Sequence, residues 1–385
     1  MTMRKLNPEL LAQNIEKRIN EDIESGRVGG AGVKVMQNGE VLYRRDFGYS
    51  DCDTKTPLAP DTMFRLASMT KPITAAAILI QMGRGLIDLF DPIDKFLPQY
   101  ASLDLGHLDE NRAVVRTGKA QNKVRVVHLL THSSGIGTLE VGDVQWAQMK
   151  PENMQSIETV VDYFSKAAIA FEPYTAQTYS PMVGFDVLAR IIEVTSGMPY
   201  RDFVKKEIFE PLGMKDTTCI PTEEQWGRLI NMHNYIDGKG VSADVGSRFI
   251  FEGFPLTYNC GGAAIASTVE DYSRFAAMLL NEGSFEGKQI IPAALVRSMG
   301  IPHLPETIMP YHEIWGLGVR VIVREDHPSL FAGTYGWSGA YGTHFWIDPE
   351  NKVVAIYMKN SRYDGGAGAL TACNFEYDVR CSYED

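Results

Sequence analysis

Phe64-Arg65-Leu66-Ala67-Ser68-Met69-Thr70-Lys71-Pro72-Ile73-Thr74-Ala75-Ala76-Ala77-Ile78-Leu79-Ile80 is the stretch on which the reading of this chain turns. Ser68 is the only serine followed three residues later by a lysine. Alone that spacing says little, because a chain of this size holds about one such match by chance. A helix-capping serine with an exposed lysine one turn on is spelled the same way. The residues that follow change the weighing. Ile73–Arg84 is rich in Ala, Ile and Leu and predicts a helix, which places Ser68 and Lys71 one turn apart on one face. Pro72 is compatible with this, since the first helical turn lacks hydrogen-bond partners in any case.

That arrangement suits nucleophilic catalysis. A serine hydroxyl attacks poorly until a neighbouring group takes its proton, and a lysine at i+3 is within reach. The helix start adds its dipole and the Ser68 N–H, which can face a developing oxyanion. Nucleophile, proton acceptor and half an oxyanion hole therefore come from one segment. A second donor and a further proton-handling group must come from elsewhere.

Outward from this segment the pattern is sheet, then helix, then sheet. Asn7-Pro8 starts a helix that carries Leu11, Ile15, Ile19 and Ile23 four apart, and Gly26 can close it. Val33 and Val35 alternate with polar residues, Asn38-Gly39 turns, and Val41 and Tyr43 alternate again, which predicts a hairpin. Helical spacing then dominates in Val183–Thr195 and Tyr200–Phe209, and again in Val269–Leu280 after Gly261-Gly262. Asp104–Lys123 and Asp237–Ser247 read as charged, Gly-containing loops, the first either a lid or a solvated excursion. Strand patterns return at Gly318–Val323, His344–Ile347 and Val353–Met358. The expected fold is α+β: an antiparallel sheet built from residues 1–63 and 255–385, flanked by helices, with a mainly helical insertion over 64–254.

Composition limits the function. The chain has 385 residues and a formal charge of −11, so it lacks the basic surplus that sequence-independent phosphate binding needs. No apolar run approaches the roughly 18 residues that cross a bilayer. No nucleic-acid partner and no membrane association are expected. The start Met-Thr-Met-Arg-Lys-Leu-Asn-Pro has no apolar segment after its charges, which reads as cytoplasmic. Five scattered cysteines without a C-x-x-C pair read as reduced thiols. No metal or nucleotide motif is present, and no cofactor is expected.

Longer-range agreement then accumulates. Phe64–Lys71, the Gly83-Arg84-Gly85-Leu86-Ile87-Asp88-Leu89 run leading to Phe96-Leu97-Pro98, Val127-His128-Leu129-Leu130-Thr131-His132-Ser133-Ser134-Gly135, Pro211-Leu212-Gly213-Met214 and Gly261-Gly262 with Ser267-Thr268 and Asp271 occur in one order. Over roughly residues 28 to 360 this resembles the serine β-lactamase and penicillin-binding-protein superfamily. The resemblance implies the β-lactamase/DD-peptidase-like fold and an acyl-enzyme on Ser68, with Lys71 and Tyr179 as the proton-handling pair. By the same correspondence the N–H groups of Ser68 and Ala340 form the oxyanion hole. His128 and His132 could suggest a triad with Ser133 or Ser134, but the resemblance places this run in a structural segment.

Two departures narrow the expectation. The family's Tyr-x-Asn motif falls at Tyr179-Ser180-Pro181, where proline offers no amide group and suits the first position of the following helix, with Ser180 as cap. The Lys-Thr-Gly motif falls at Trp337-Ser338-Gly339, expected to bind substrate but with no cation for a carboxylate. The tryptophan is similar to the family VIII carboxylesterases. The expectation is therefore a serine carboxylesterase acting on a small-molecule ester. A β-lactamase or D-alanyl-D-alanine carboxypeptidase, an acyltransferase and an idle scaffold remain as alternatives.

Overall fold

The computed structural model describes residues 3–308 and 313–384. The N-terminal helix α1 (Pro8–Glu24) starts as its sequence directs: the Asn7 side chain accepts from the N–H groups of Glu9 and Leu10, and Leu11, Ile15 and Ile19 are buried. Strands β1 (Gly30–Gln37) and β2 (Glu40–Asp51) form the hairpin. Asn38 and Gly39 have φ of 51° and 83°, the positive pair that a tight two-residue turn requires.

Both ends of the chain then supply one eight-stranded sheet. After β3 (Thr56–Pro57), the strands β4 (Glu313–Trp315), β5 (Arg320–Ile322), β6 (Tyr335–Ser338), β7 (His344–Asp348) and β8 (Val353–Met358) complete it in the order β4-β5-β6-β7-β8-β1-β2-β3. Every neighbouring pair is antiparallel. Alternation sorts the side chains onto two faces. Val33, Val35, Tyr43, Trp346 and Tyr357 pack with α1 and the C-terminal helix. Phe345, Ile347, Val354, Ile356 and Met358 pack toward the helices of the central chain.

Those helices surround α2 (Thr70–Gly83), whose residues Thr70 to Gln81 are all buried. A helix so largely apolar, with its few polar side chains also buried, belongs in the middle of a core. Packed against it is α3 (Val183–Ser196), closed by Gly197 in the left-handed conformation, while α4 (Val269–Leu280) lies against β8 and β1. The C-terminal helix is α5 (Leu370–Arg380).

Several elements differ from the sequence expectation. Asp104–Lys123 is a hairpin, not a loop: Asp104–Leu108 pairs with Val114–Lys119, and the first strand also pairs with Ala168–Ile169. Three of its charges are cross-strand partners, with Asp104 bridging Arg116 and Lys119. Asp237–Ser247 likewise holds a hairpin, Met232–Ile236 with Lys239–Ala243, turning on Asp237-Gly238 with φ of 50° and 76°. The helix expected from Pro181 begins at Val183, because the Pro181 carbonyl turns toward Lys71 instead of starting a helical ladder. None of the five cysteines forms a disulfide. Among the described residues no helix is long and apolar enough to cross a membrane.

Candidate active site

The site lies where α2 begins, beneath the edge of β6. Ser68 occupies a 3-10 turn, Ala67–Met69, immediately before α2. Ala67 has φ of 45°, a strained conformation for a residue with a Cβ. Surrounding contacts hold it there. The Asn360 side chain accepts from the Arg65 N–H and donates to the Arg65 carbonyl, and the buried Arg65 guanidinium donates to the carbonyls of Ile230 and Phe249. The Leu66 N–H donates to Ile265, and the Leu66 carbonyl accepts from the Thr343 hydroxyl at 2.8 Å.

Lys71 is fully buried, and its Nζ donates to Ser68 Oγ at 3.2 Å, to the Pro181 carbonyl at 2.6 Å and to the Gly262 carbonyl at 3.1 Å. Three acceptors match the three protons of an ammonium. The Pro181 backbone oxygen thus serves Lys71 at the position where the Tyr-x-Asn motif has its asparagine. Gly261 is required by space, since a Cβ there would lie 2.2 Å from the Phe185 carbonyl oxygen, whereas one on Gly262 would press at 3.1 Å on the Pro181 carbonyl oxygen and at 3.3 Å on Lys71 Nζ.

Tyr179 lies over this ammonium, with Nζ 5.0 Å from its ring centre. Its hydroxyl accepts from Trp337 Nε1 at 3.3 Å, and no hydrogen bond joins it to Ser68 or Lys71. Trp337 and Trp315 meet edge to face at 4.5 Å, and both pack on the Tyr179 ring.

The end of β6 adjoins the segment that precedes Ser68. Gly339 N–H donates to the Thr343 carbonyl at 2.7 Å, and a Cβ on Gly339 would stand 2.1 Å from the Leu66 carbonyl oxygen. Only glycine fits that contact. Neither the Ser68 N–H nor the Ala340 N–H has an acceptor among the described residues, and Ala340 is exposed. Strand alternation turns the Ser338 side chain to the other face, away from Tyr179. There it shares a 2.7 Å hydrogen bond with His344 Nδ1, and His344 Nε2 reaches Glu376 at 3.0 Å. Glu376 also accepts from Arg320 and Ser329, and its carboxyl is held well below the usual range by these partners despite burial. Ser338, His344 and Glu376 are nearly solvent-free, so this chain of bonds braces β6 and β7 from behind.

Three groups stand close to Lys71 and Tyr179 that the sequence did not single out as site residues. His132, with φ of 56°, accepts the Thr178 N–H on its carbonyl at 2.9 Å and the Ser180 N–H on Nδ1 at 3.0 Å. Its ring lies 4.5 Å from that of Tyr179. Burial and the Lys71 charge push its imidazolium form far out of reach, so the ring is neutral with its proton on Nε2. No triad forms in this stretch, since Ser133 bonds to Thr131 and Ser134 accepts from Ile136. Asp186, fully buried on α3, accepts from Tyr258 at 2.5 Å and from the Gly261 N–H at 2.9 Å, and burial raises its carboxyl to about 7. Trp315 is the third. His132 and Asp186 carry no local sequence signal for this role, because contacts of high sequence separation define it.

Comparison with known proteins agrees with this fold. The family model described as Beta-lactamase matches residues 14–372. Esterase EstB of Burkholderia gladioli is 28% identical over 391 residues, covering 95% of this chain and 94% of that one. Among solved structures, EstCE1, described as a hydrolase with promiscuous acyltransferase activity, superposes with a TM-score of 0.79 at 21% identity, over 97% of this chain and 98% of that one. A family VIII carboxylesterase superposes with a TM-score of 0.75 at 16% identity, over 99% and 100%.

Proposed function

The chain belongs to the beta-lactamase family and has the fold of its hydrolases, and on that premise we propose that it is a serine carboxylesterase working through an acyl-enzyme on Ser68. Ser68 Oγ attacks the ester carbonyl while its proton passes to the Lys71–Tyr179 pair, which enters the step one proton short of the ammonium–phenol form, with the Tyr179 oxygen as the acceptor beside the Lys71 charge. The carbon–oxygen bond to the alcohol breaks, and that proton leaves with the alkoxide. The oxyanion is met by the N–H groups of Ser68 and Ala340, neither of which has an acceptor among the described residues. Water then attacks the acyl-enzyme and regenerates Ser68.

The observation that carries this reading is the contact of the Lys71 ammonium with Ser68 Oγ at 3.2 Å. The choice of ester over β-lactam or D-alanyl peptide rests on Trp337 and Pro181. Trp337 gives a substrate carboxylate no cation, and Pro181 gives an acyl amide no side-chain partner. The EstB name supports the same choice. Hydrolysis of p-nitrophenyl acetate by the wild type and by Ser68→Ala tests it. Activity that vanishes in the variant, with a mass increase of one acyl group on Ser68 in the wild type, is expected. Equal rates in both proteins overturn the proposal. Transfer of the acyl group to an alcohol is a second reading, favoured by the description of EstCE1. It would appear as ester exchange when a primary alcohol is added to the same assay.

A further inference from the structure

We infer that the cavity between Pro181 and Phe251 is the acyl subsite of this enzyme, and that it takes a bulky, uncharged hydrocarbon or aryl acyl group. The inference rests on the acyl-enzyme reading and adds the substrate class. The cavity has a volume of about 320 Å³, and its apolar lining includes Trp146, Met182, Val183, Phe251 and Phe254.

Both walls are tied to the reacting centre. On one side, Pro181 lines the cavity, and its carbonyl is the 2.6 Å acceptor of Lys71. On the other, the Phe251 ring packs 5.4 Å from that of Tyr341, the residue after Ala340. The aromatic wall is continuous, with Trp146 on Phe254 at 5.7 Å and Phe251 on Phe254 at 5.3 Å. The opposite flank of Tyr179 is filled by Trp315 and Trp337, and the Tyr179 hydroxyl points there. That hydroxyl protonates the departing alcohol, so the alcohol leaves on the tryptophan side and the acyl group lies toward Pro181.

Chemistry and size specify the occupant. The only formal charges on the lining are the carboxylates of Asp143 and Glu252. Glu252 is already bridged by Arg362 at 2.5 Å and bonded by Tyr341 at 3.2 Å, and Asp143 is exposed at the rim. An anionic acyl end meets no free cation and faces like charge. A cavity of about 150 Å³ holds a benzene, so this one takes a group of roughly twice that size, a naphthyl or a chain of about eight carbons.

Two ester series test this. In one the acyl group varies (acetate, hexanoate, 2-naphthoate, and the monoanionic adipate half-ester) on constant p-nitrophenol. In the other the alcohol varies on constant acetate. Burial of each methylene raises kcat/KM roughly three- to fourfold, so hexanoate should exceed acetate at least tenfold. The adipate half-ester should fall at least tenfold below hexanoate, and the alcohol series should stay within about threefold. Val183→Trp, which fills the cavity, and Phe254→Ala, which opens its wall, should each lower the hexanoate-to-acetate ratio at least tenfold. A flat acyl series, or a preference carried by the alcohol, overturns the subsite while acetate turnover and a Ser68 adduct leave the esterase standing. No turnover and no adduct with any ester overturns both.

Discussion

Replacing Gly339 by alanine tests the geometry of the site without touching Ser68, Lys71 or Tyr179. The new Cβ would lie 2.1 Å from the Leu66 carbonyl oxygen and 2.2 Å from Thr343 Oγ1. An ordinary carbon–oxygen contact is about 3.3 Å, so the end of β6 and the Leu66 peptide must separate by more than an ångström. Leu66 is held by its N–H bond to Ile265 and stands two residues before Ser68, so most of the movement falls on Gly339 and Ala340. The two N–H groups proposed for the oxyanion hole, those of Ser68 and Ala340, are carried by opposite sides of this contact. A misplacement of about 1 Å, or loss of one donor, costs on the order of 100-fold in rate. The expected outcome is a kcat on p-nitrophenyl acetate about 100-fold below wild type, with KM changed less than about threefold. Stability should fall by only about 1–3 kcal/mol, the usual cost of a crowded contact, so near-ultraviolet circular dichroism stays native. Gly227→Ala is the control, since nothing lies within 4 Å of its added methyl. A folded Gly339→Ala protein with kcat within about threefold of wild type would refute the placement of the oxyanion hole at this contact.

Three further outcomes follow from the same contacts. His132 acts as a positioning residue for Tyr179, so His132→Leu should lower kcat at least tenfold, and His132→Asn, whose Oδ1 can replace Nδ1 as acceptor for the Ser180 N–H, should restore most of it with KM steady; equal losses in the two variants contradict that role. Burial raises the Asp186 carboxyl from 3.8 to about 7, so the folded state binds the extra proton between those values and loses stability as pH rises through that window. Above pH 7 the penalty is on the order of 4 kcal/mol, and urea midpoints of Asp186→Asn should lack this slope, whereas parallel pH profiles for both proteins would exclude it. Glu376→Leu removes the buried acceptor of Arg320, His344 and Ser329, and should cost about 3–5 kcal/mol of unfolding free energy; a change under about 1 kcal/mol would show that the brace behind β6 contributes little.

The sequence by itself determined what is local. The Asn7 cap, the Asn38-Gly39 turn and the Ala/Ile/Leu-rich α2 are set by residues within one or two turns of each other, and each forms where expected. The pairing of Ser68 with Lys71 is equally local, because i and i+3 share a helix face. Local reading failed where charge concealed alternation. In Asp104–Lys123, Asp104, Arg116 and Lys119 proved to be cross-strand ion partners, and Asp237-Gly238 carried a turn signal inside a segment read as loop. Tertiary structure alone decided the rest. Lys71 receives its second and third acceptors from residues 110 and 191 positions away, and His132 meets Ser180 across 48. Gly339 must be glycine because of a carbonyl that no local spacing places beside it. Backbone propensity and side-chain periodicity act over a few residues, whereas an active site is made of contacts that form only once the sheet and helices have packed.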